Sequence, residues 1–276
     1  MADGAAAGSV AGSRRAAVLG RPVGHSLSPR LHRAAYAALG LTDWTYDALD
    51  LGADEVPVLL AGLGEEWRGF SVTMPCKQAA VDAADVVEPL PRLLHAANTL
   101  VRTDAGWRAE NTDVLGVGTA LQQAGVTQVT RGAIVGAGGT AAAAAVALAS
   151  LGAEHVDVVV REPTRARDLL RVLDTLAVPT TVVSLTEAVV DAEVVVSTVP
   201  VGGQPVVAGL PWTADQTVLD VLYDPWPTPL ATRVAEVGGT VVGGLEVLFW
   251  QATAQVELMT GRPAPLAAMR AALEAC

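Results

Sequence analysis

Apolar and polar residues alternate in a way that divides the first part of the chain into short strands and amphipathic helices. The apolar runs predict strands at Arg15–Leu19, Trp44–Leu49 and Gly69–Thr73, and a hairpin that pairs Thr99–Thr103 with Trp107–Ala109. The predicted helices between them are Pro29–Leu39, Ala53–Gly62 and Lys77–Asp82. Strands that alternate with helices indicate a largely parallel sheet with helical faces.

A second alternating region follows from about residue 114, with more continuous Val, Ile, Leu and Ala runs. Such runs are typical of strands that are buried on both faces. The predicted strands are Gly132–Val135, Val156–Val160, Val194–Thr198, Thr217–Asp220 and Thr240–Val242. The predicted helices are Val114–Ala124, Thr140–Leu151, Arg165–Leu176, Leu245–Leu258 and Pro265–Leu273.

Composition narrows the choice of partner and compartment. The 276 residues carry a net charge of −11, which argues against a nucleic-acid or anionic-membrane partner. Only two cysteines, Cys76 and Cys276, are present, which favours a reducing, cytoplasmic location. Residues 1–13 lack the basic start and apolar stretch of a signal peptide, and we predict that residues 1–14 are disordered.

One uncharged stretch, Ala133–Ala153, is long enough to span a bilayer, but its glycines divide it into a strand, a turn and a helix. The turn reads Gly136-Ala137-Gly138-Gly139-Thr140-Ala141. In such a turn the first glycine makes a tight bend, the second lets the backbone approach a pyrophosphate, and the helix N-terminus meets the negative charge. We therefore predict a soluble dinucleotide-binding element, with an ordinary tight turn as the alternative.

The end of the next predicted strand bears on the choice of nucleotide. An acidic residue there favours the free ribose hydroxyl of NAD, whereas arginine accommodates the 2′-phosphate of NADP. This chain offers both, because Arg161 and Arg165 flank Glu162. A solvated surface is the third interpretation.

Several polar residues follow predicted strands or precede helices, where parallel sheets bind ligands. Ser26 and Ser28 precede Pro29, and hydroxyls beside free helix N–H groups suit a carboxylate or phosphate, although Ser28 could be a simple N-cap. The other candidates are Thr73, Lys77, Asn98, Asp113, Tyr223 and Gln251. Taken singly, each has an ordinary alternative: a solvated lysine, a turn residue, an N-cap at Asp113 or a core side chain.

Together the motifs resemble the shikimate dehydrogenase family, in the family's order and over about residues 15 to 273. The matching segments are Gly20–His32, Val72–Lys77, Ala97–Leu100, Asn111–Asp113, Gly136–Thr140, Asp220–Leu230 and Gly244–Gln251. The resemblance implies reversible NADPH-dependent reduction of 3-dehydroshikimate to shikimate, in aromatic amino-acid biosynthesis. It also implies an α/β substrate-binding domain (1–112), a Rossmann-type doubly wound dinucleotide domain (113–243) and C-terminal helices (244–276) that pack back on the first.

By this resemblance Ser26 and Ser28 hold the substrate carboxylate, while Thr73, Asn98 and Gln251 surround the ring hydroxyls with Tyr223 nearby. Lys77 and Asp113 form the catalytic pair. Reducing a ketone by hydride leaves an alkoxide that needs a proton, and a charged lysine can supply one. The implied cofactor-binding residues are Gly136, Ala137, Gly138, Gly139, Thr140, Arg161, Arg165, Thr198, Val199, Leu222, Gly244 and Val247, and we assign no metal site.

The chain departs from the family where Val160-Arg161-Glu162 replaces the usual Asn-Arg-Thr and where Val247 replaces a methionine. NAD therefore stays open as an alternative cofactor. The alternative functions are a quinate/shikimate or aminoshikimate dehydrogenase that uses NAD, and a non-catalytic nucleotide-sensing regulator on the same scaffold. For the dehydrogenase we expect shikimate or 3-dehydroshikimate as the small-molecule partner, and a monomer or homodimer.

Overall fold

Two six-stranded sheets, formed by successive parts of the chain, make up an α/β fold. The computed structural model describes residues 13–186, 188 and 190–274. The sequence predicts disorder for residues 1–14, most of which lie outside the described residues. At Arg14 the prediction is wrong, because Arg14 is the first residue of β1. Cys76 is buried and unpaired, whereas Cys276 lies outside the described residues.

The first sheet has the strand order β2-β1-β3-β5-β6-β4, in which β5 runs antiparallel to both of its neighbours and the other pairs are parallel. Its strands are β1 (Arg14–Gly20), β2 (Trp44–Asp50), β3 (Trp67–Val72), β4 (Val86–Val87), β5 (Thr99–Thr103) and β6 (Gly106–Glu110). The accompanying helices are α1 (Ser28–Ala38), α2 (Val56–Ala61), α3 (Lys77–Asp82) and α4 (Pro89–Leu94).

The second sheet is parallel throughout, with the order β12-β11-β10-β7-β8-β9. Its strands are β7 (Arg131–Val135), β8 (His155–Val160), β9 (Thr180–Ser184), β10 (Val194–Ser197), β11 (Thr217–Asp220) and β12 (Thr240–Gly243). The helices are α5 (Asp113–Gln123), α6 (Gly139–Ser150), α7 (Arg167–Thr175), α8 (Gln204–Ala208), α9 (Pro229–Glu236), α10 (Gly244–Thr260) and α11 (Leu266–Glu274). With β7 as the first strand, this is the doubly wound order of dinucleotide-binding sheets.

The sequence pattern missed several short elements and displaced several element boundaries by one to three residues. It predicted none of β4, β9, α4, α8 and α9. Strand β9 is an edge strand whose residues are exposed or half-buried, so it lacks the apolar run of a central strand. Helix α7 begins at Arg167 rather than Arg165, because the preceding residues form a 3₁₀ turn, Pro163–Ala166.

The two C-terminal helices pack against α1, at the start of the chain. Leu31 of α1 forms an apolar cluster with Phe249 and Val256 of α10 and with Met269 of α11. Helix α10 also contacts α5, β3 and β5, so one helix touches elements that flank both sheets. In the part of the chain that the structure describes, no helix combines the length and hydropathy needed to cross a membrane.

Candidate active site

The carboxyl ends of parallel strands from both sheets border one cavity of about 260 Å³. The first sheet contributes the segments that follow β1 and β3, and the second contributes the segments that follow β7, β11 and β12. All the predicted catalytic and substrate-binding residues line this cavity: Ser26, Ser28, Thr73, Lys77, Asn98, Asp113, Tyr223 and Gln251. Residues that lie 225 positions apart in the chain (Ser26 and Gln251) thus share one site.

Lys77 and Asp113 form an ion pair inside this cavity. Lys77 Nζ lies 2.5 Å from Asp113 Oδ2, and the side chains are 20 % and 10 % exposed. Asp113 is the first residue of α5 and not its N-cap, so the N-cap interpretation is wrong. Its backbone N–H instead donates to Asn111 Oδ1 at 3.0 Å, which leaves the Asp113 carboxylate to face Lys77.

Asn98 ties this ion pair to the end of the first sheet. Its Nδ2 donates to the other carboxylate oxygen of Asp113 at 2.7 Å and to Gln251 Oε1 at 3.2 Å. Its Oδ1 accepts from the backbone N–H of Thr112 at 2.7 Å, a group that can only donate. The orientation of the Asn98 amide is therefore fixed, with its NH₂ group towards the carboxylate.

Ser26 and Ser28 lie on the cavity wall at the start of α1. Helix α1 begins at Ser28, with Leu27 as N-cap and Pro29 as its second residue, so the predicted start at Pro29 and the N-cap interpretation of Ser28 are both wrong. Ser26 Oγ accepts from the backbone N–H of Ser28 at 3.3 Å. Ser28 is buried and its hydroxyl is not needed as a cap, which frees it for a ligand.

Tyr223 reaches across the cavity from the segment after β11. Burial and the neighbouring Asp224 raise the pKa of the phenol, and the nearby backbone of Leu27, at the start of α1, acts on it in the opposite direction. The buried Asp220 carboxylate holds the start of this segment, accepting from Thr228 Oγ1 at 2.7 Å and from the backbone N–H of Leu222 at 3.3 Å. Tyr223 is thus held beside Ser26 and Ser28 from the opposite sheet.

The glycine turn after β7 has the geometry of a dinucleotide-binding loop. Gly136 has φ +109°, a conformation that favours glycine, and a Cβ there would collide with the Thr198 side chain. Gly138 borders open space, and α6 begins directly after it. No side chain caps the N–H groups of the first turn of α6, so these groups can donate to a ligand. A Cβ on Gly139 would lie 3.8 Å from Lys77 Cδ, so the turn lies against the ion-paired lysine.

The structure separates the other predicted cofactor residues into two groups. Thr140, Gly244 and Val247 line the cavity itself. The rest lie outside its lining: Gly136, Ala137, Gly138, Gly139, Arg161, Arg165, Thr198, Val199 and Leu222. Arg161 and Arg165 are exposed after β8, next to the exposed Glu162. The open glycine turn, the helix start and these arginines fit a dinucleotide that extends from the cavity along the carboxyl edge of the second sheet.

Three polar residues of the cavity are not among the predicted site residues: His25, Ser71 and Gln255. Gln255 lies one turn after Gln251 on α10, and this spacing of four residues could have placed both side chains on one helix face. Over the residues that the structure describes, no group of three or more His, Cys, Asp or Glu side chains is arranged to hold a metal ion.

Three family models match successive parts of the chain. Residues 18–100 match the family model of the shikimate dehydrogenase substrate binding domain, and residues 244–274 match that of the shikimate 5′-dehydrogenase C-terminal domain. Residues 131–223, which contain most of the second sheet, match the model of coenzyme F420-dependent NADP oxidoreductases.

Relatives and solved structures agree with the family models. "Shikimate dehydrogenase (NADP(+))" of Anaeromyxobacter sp. is 39 % identical over 270 residues, covering 94 % of this chain and 95 % of the relative. The crystal structure of Mycobacterium tuberculosis shikimate dehydrogenase is 47 % identical with a TM-score of 0.85, covering 95 % of this chain and 100 % of that one. The Thermus thermophilus enzyme, in complex with NADP(H) and shikimate, is 31 % identical with a TM-score of 0.83, covering 95 % and 99 %.

The fold and the cavity define a two-domain α/β protein in which a doubly wound, dinucleotide-type sheet borders a polar cleft. The family models and relatives then make the assignment specific. The chain belongs to the shikimate dehydrogenase family.

Proposed function

We propose that this protein catalyses the reversible, NADPH-dependent reduction of 3-dehydroshikimate to shikimate. The observation that carries the proposal is the Lys77–Asp113 pair, at 2.5 Å, in a cavity that the glycine turn borders. Relatives of the same overall length bear the name of this NADP-dependent enzyme, and one related structure contains both NADP(H) and shikimate.

In the proposed complex Ser26 and Ser28 bind the carboxylate of the substrate. Their hydroxyls face the cavity from the start of α1, where the unpaired helix N–H groups also favour negative charge. Thr73, Asn98 and Gln251 line the same cavity and would bind the ring hydroxyls, while Tyr223 closes the carboxylate side. The hydrogen-bonding side chains that line the cavity therefore suit a small, polyhydroxylated carboxylate.

Lys77 is the proposed proton donor and Asp113 its partner. The bound nicotinamide supplies the hydride, and the ketone oxygen then needs a proton at the moment it becomes negative. The Lys77 ammonium can donate that proton while Asp113 Oδ2 holds its Nζ in place. Asn98 fixes the second oxygen of Asp113, so that the carboxylate cannot rotate away from Lys77.

The residues after β8 support NADP as the cofactor, with NAD as the alternative. Arg161 and Arg165 provide two positive charges for a 2′-phosphate, and Glu162 between them opposes it. The family and the name of the relatives favour NADP.

Several broader features belong to the same proposal. We propose that residues 1–112 bind substrate, that 113–243 bind the cofactor and that 244–276 complete the substrate side. The packing of α10 and α11 on α1 supports this division. The acidic net charge argues against nucleic acid or an anionic membrane as a partner, and the low cysteine content supports a cytoplasmic location. The proposal includes a monomer or homodimer as the oligomeric state.

Turnover of shikimate and quinate with NADP⁺ tests the choice of substrate. We expect oxidation of shikimate to be preferred, because the relatives bear the name of shikimate dehydrogenase and the related structure with NADP(H) contains shikimate. A preference for quinate would favour the quinate/shikimate alternative. Binding of NADP⁺ with no oxidation of either compound would favour a nucleotide-sensing regulator.

A further inference from the structure

A buried polar chain extends from the cavity into the core of the first sheet. It joins Gln255 of α10 to Ser71 of β3, and through Ser71 to Tyr46 of β2. His32 of α1 contacts the same glutamine. None of these residues is more than 4 % exposed. Burying four polar side chains is unfavourable unless each is hydrogen-bonded, so their arrangement is closely specified.

The backbone carbonyl of Asn98 determines which groups donate and which accept in this chain of hydrogen bonds. It accepts from Gln255 Nε2 at 3.0 Å and from the backbone N–H of Val72 at 2.7 Å. A carbonyl oxygen can only accept, so the Gln255 amide must present its NH₂ group to Asn98 and its Oε1 to the opposite side. The second hydrogen of that NH₂ group goes to Thr99 Oγ1, at 3.0 Å.

Two donors, Ser71 Oγ and His32 Nε2, lie against the oxygen of the Gln255 amide. Ser71 Oγ donates to Gln255 Oε1 at 2.6 Å, and Tyr46 Oη donates to Ser71 Oγ at 2.5 Å. His32 Nε2 lies 3.4 Å from the same Oε1 and must carry the ring proton there. The His32 ring also stacks on Tyr46, with centroids 4.1 Å apart.

This chain of hydrogen bonds positions side chains and does not transfer protons. His32 Nδ1 has no hydrogen-bond partner among the described residues, so the chain ends there. Burial lowers the pKa of His32 to about 3, which keeps the ring neutral at physiological pH.

The same order of donors continues towards the catalytic pair. Thr99 accepts from Gln255 and therefore donates its own hydrogen to Asn98 Oδ1, at 2.9 Å. That leaves the Asn98 NH₂ group for Asp113 Oδ1, 2.7 Å away. Gln255 thus holds both the backbone and, through Thr99, the side chain of the residue that fixes Asp113.

We infer that Gln255, anchored by Ser71 and the buried His32–Tyr46 pair, is a positioning residue that orients Asn98 and thereby the Lys77–Asp113 pair. The inference rests on the proposed function for its kinetic consequences. The geometric part concerns the Asn98 amide alone and can be measured without turnover.

The sequence makes that measurement direct, because Asn98 and Asn111 are the two asparagines of the chain. Asparagine-selective ¹⁵N labelling gives one side-chain NH₂ pair from each, and an Asn111→Ser variant assigns them. In Gln255→Met we expect the Asn98 pair to shift or broaden while the Asn111 pair stays in place. We also expect kcat/KM for shikimate to fall by about tenfold or more, mainly through kcat, because small displacements of reacting groups are costly. The KM for NADP⁺ should change by less than about twofold, since positioning acts at the reacting groups.

Gln216→Met is the matched control. Gln216 is also buried and donates to two backbone carbonyls, those of Val190 at 2.7 Å and Ala192 at 3.1 Å, but it lies just before β11, at the end of the second sheet away from the cavity. We expect it to lower the thermal stability while it leaves the Asn98 signals and kcat/KM unchanged. An equal loss of kcat/KM in this control would overturn the inference, because the effect of Gln255 would then be a general loss of stability.

Tyr46→Phe provides a second variant that keeps the aromatic packing and removes only the hydroxyl that orients Ser71. We expect a smaller change of the Asn98 signals in the same direction. Wild-type Asn98 signals in the folded Gln255 and Tyr46 variants would overturn the inference. Failure of the wild-type protein to oxidise shikimate would instead overturn the proposed function, and the amide signals would still decide the role of Gln255.

Discussion

Lys77 and Asp113 are 36 positions apart in the chain, yet their charged groups are 2.5 Å apart and largely buried. Lys77 begins α3, directly after the turn that follows β3, and Asp113 begins α5, directly after β6 and its short exit loop. Two strands of one sheet therefore bring this ion pair together at the same edge. The glycine turn of the other sheet lies against Lys77, so the ion pair is placed where a bound nicotinamide would meet its substrate in the proposed complex.

Replacing Lys77 tests its role as proton donor. Lys77→Ala should lower kcat by at least about 10²-fold, the range of general acid–base catalysis, with a smaller change in the affinity for shikimate. Lys77→Arg keeps the positive charge but donates a proton poorly, so it should show a similar loss. Steady-state kinetics with shikimate and NADP⁺ measure both variants, and a near-wild-type kcat for either would contradict the assignment.

Removing the charge of Asp113 tests the partner separately. Asp113→Asn keeps the shape but weakens the hold on Lys77 Nζ and replaces an acceptor of the Asn98 amide. We expect kcat to fall by about 10- to 10²-fold, because an unheld proton donor is less effective. An unchanged kcat, measured at several pH values, would show that Lys77 needs no partner.

The serine pair should affect substrate binding more than chemistry. Ser26→Ala and Ser28→Ala each remove one hydrogen bond to the charged carboxylate of the substrate. Such a bond is worth about 1.5–3 kcal/mol, so the KM for shikimate should rise by about tenfold or more in each variant. The KM for NADP⁺ should stay constant. Ser150→Ala serves as control, because Ser150 is exposed at the end of α6 and donates to the backbone of Val146. A normal KM for shikimate in the Ser26/Ser28 double variant would contradict the proposed carboxylate site.

Much of this arrangement follows from the sequence. The hairpin of β5 and β6 was predicted because Asp104-Ala105-Gly106 is a clear turn, and the central strands of the second sheet were predicted because they are continuous apolar runs. The short strand β4 and helix α4 were not, because α4 contains prolines at its first and third positions, a pattern that suggests a turn.

The supporting residues of the site were harder to predict than the Lys77–Asp113 ion pair. Lys77 and Asp113 stand out as charged residues next to strand ends. Gln255 and Ser71 lie within an apolar helix and an apolar strand, where single polar residues have many ordinary explanations. Their role depends on the packing of α10 against β3 and β5, which no local pattern contains.

Glu162 should weaken the preference for NADP. Its carboxylate lies between Arg161 and Arg165 in sequence and opposes a 2′-phosphate. In Glu162→Gln we expect kcat/KM for NADP⁺ to rise by about two- to fivefold, the size of a partly screened surface charge interaction, while that for NAD⁺ stays the same. Glu154→Gln, at another exposed acidic residue, changes the net charge equally. It should leave the ratio of kcat/KM for NADP⁺ to kcat/KM for NAD⁺ unaltered. An unchanged ratio in Glu162→Gln would show that this carboxylate points away from the cofactor.

Burial of His32 should make the protein less stable in mild acid. Its pKa is lowered to about 3 in the folded state, mainly by burial, whereas an exposed histidine titrates near pH 6.5. Below about pH 6.5 the unfolded chain binds a proton that the folded protein refuses, so the free energy of unfolding falls as pH drops towards 3.

His32→Met should remove this contribution to the pH dependence. Between pH 7 and pH 5 the wild-type protein should lose about 2 kcal/mol more than the variant, as measured by urea unfolding. Gln216→Met offers a control, because it also replaces a buried polar side chain but removes no titratable group, and it should keep the wild-type pH dependence. Equal pH dependence in His32→Met and wild type would show that His32 is not held neutral.

The most direct test of the whole account is the reduction of 3-dehydroshikimate by the purified protein, with NADPH and NADH compared at steady state. We predict that NADPH is oxidised only when 3-dehydroshikimate is present, with a higher kcat/KM than for NADH, and that shikimate is formed in equal amount. Absence of 3-dehydroshikimate-dependent oxidation of either nucleotide would contradict the proposed function.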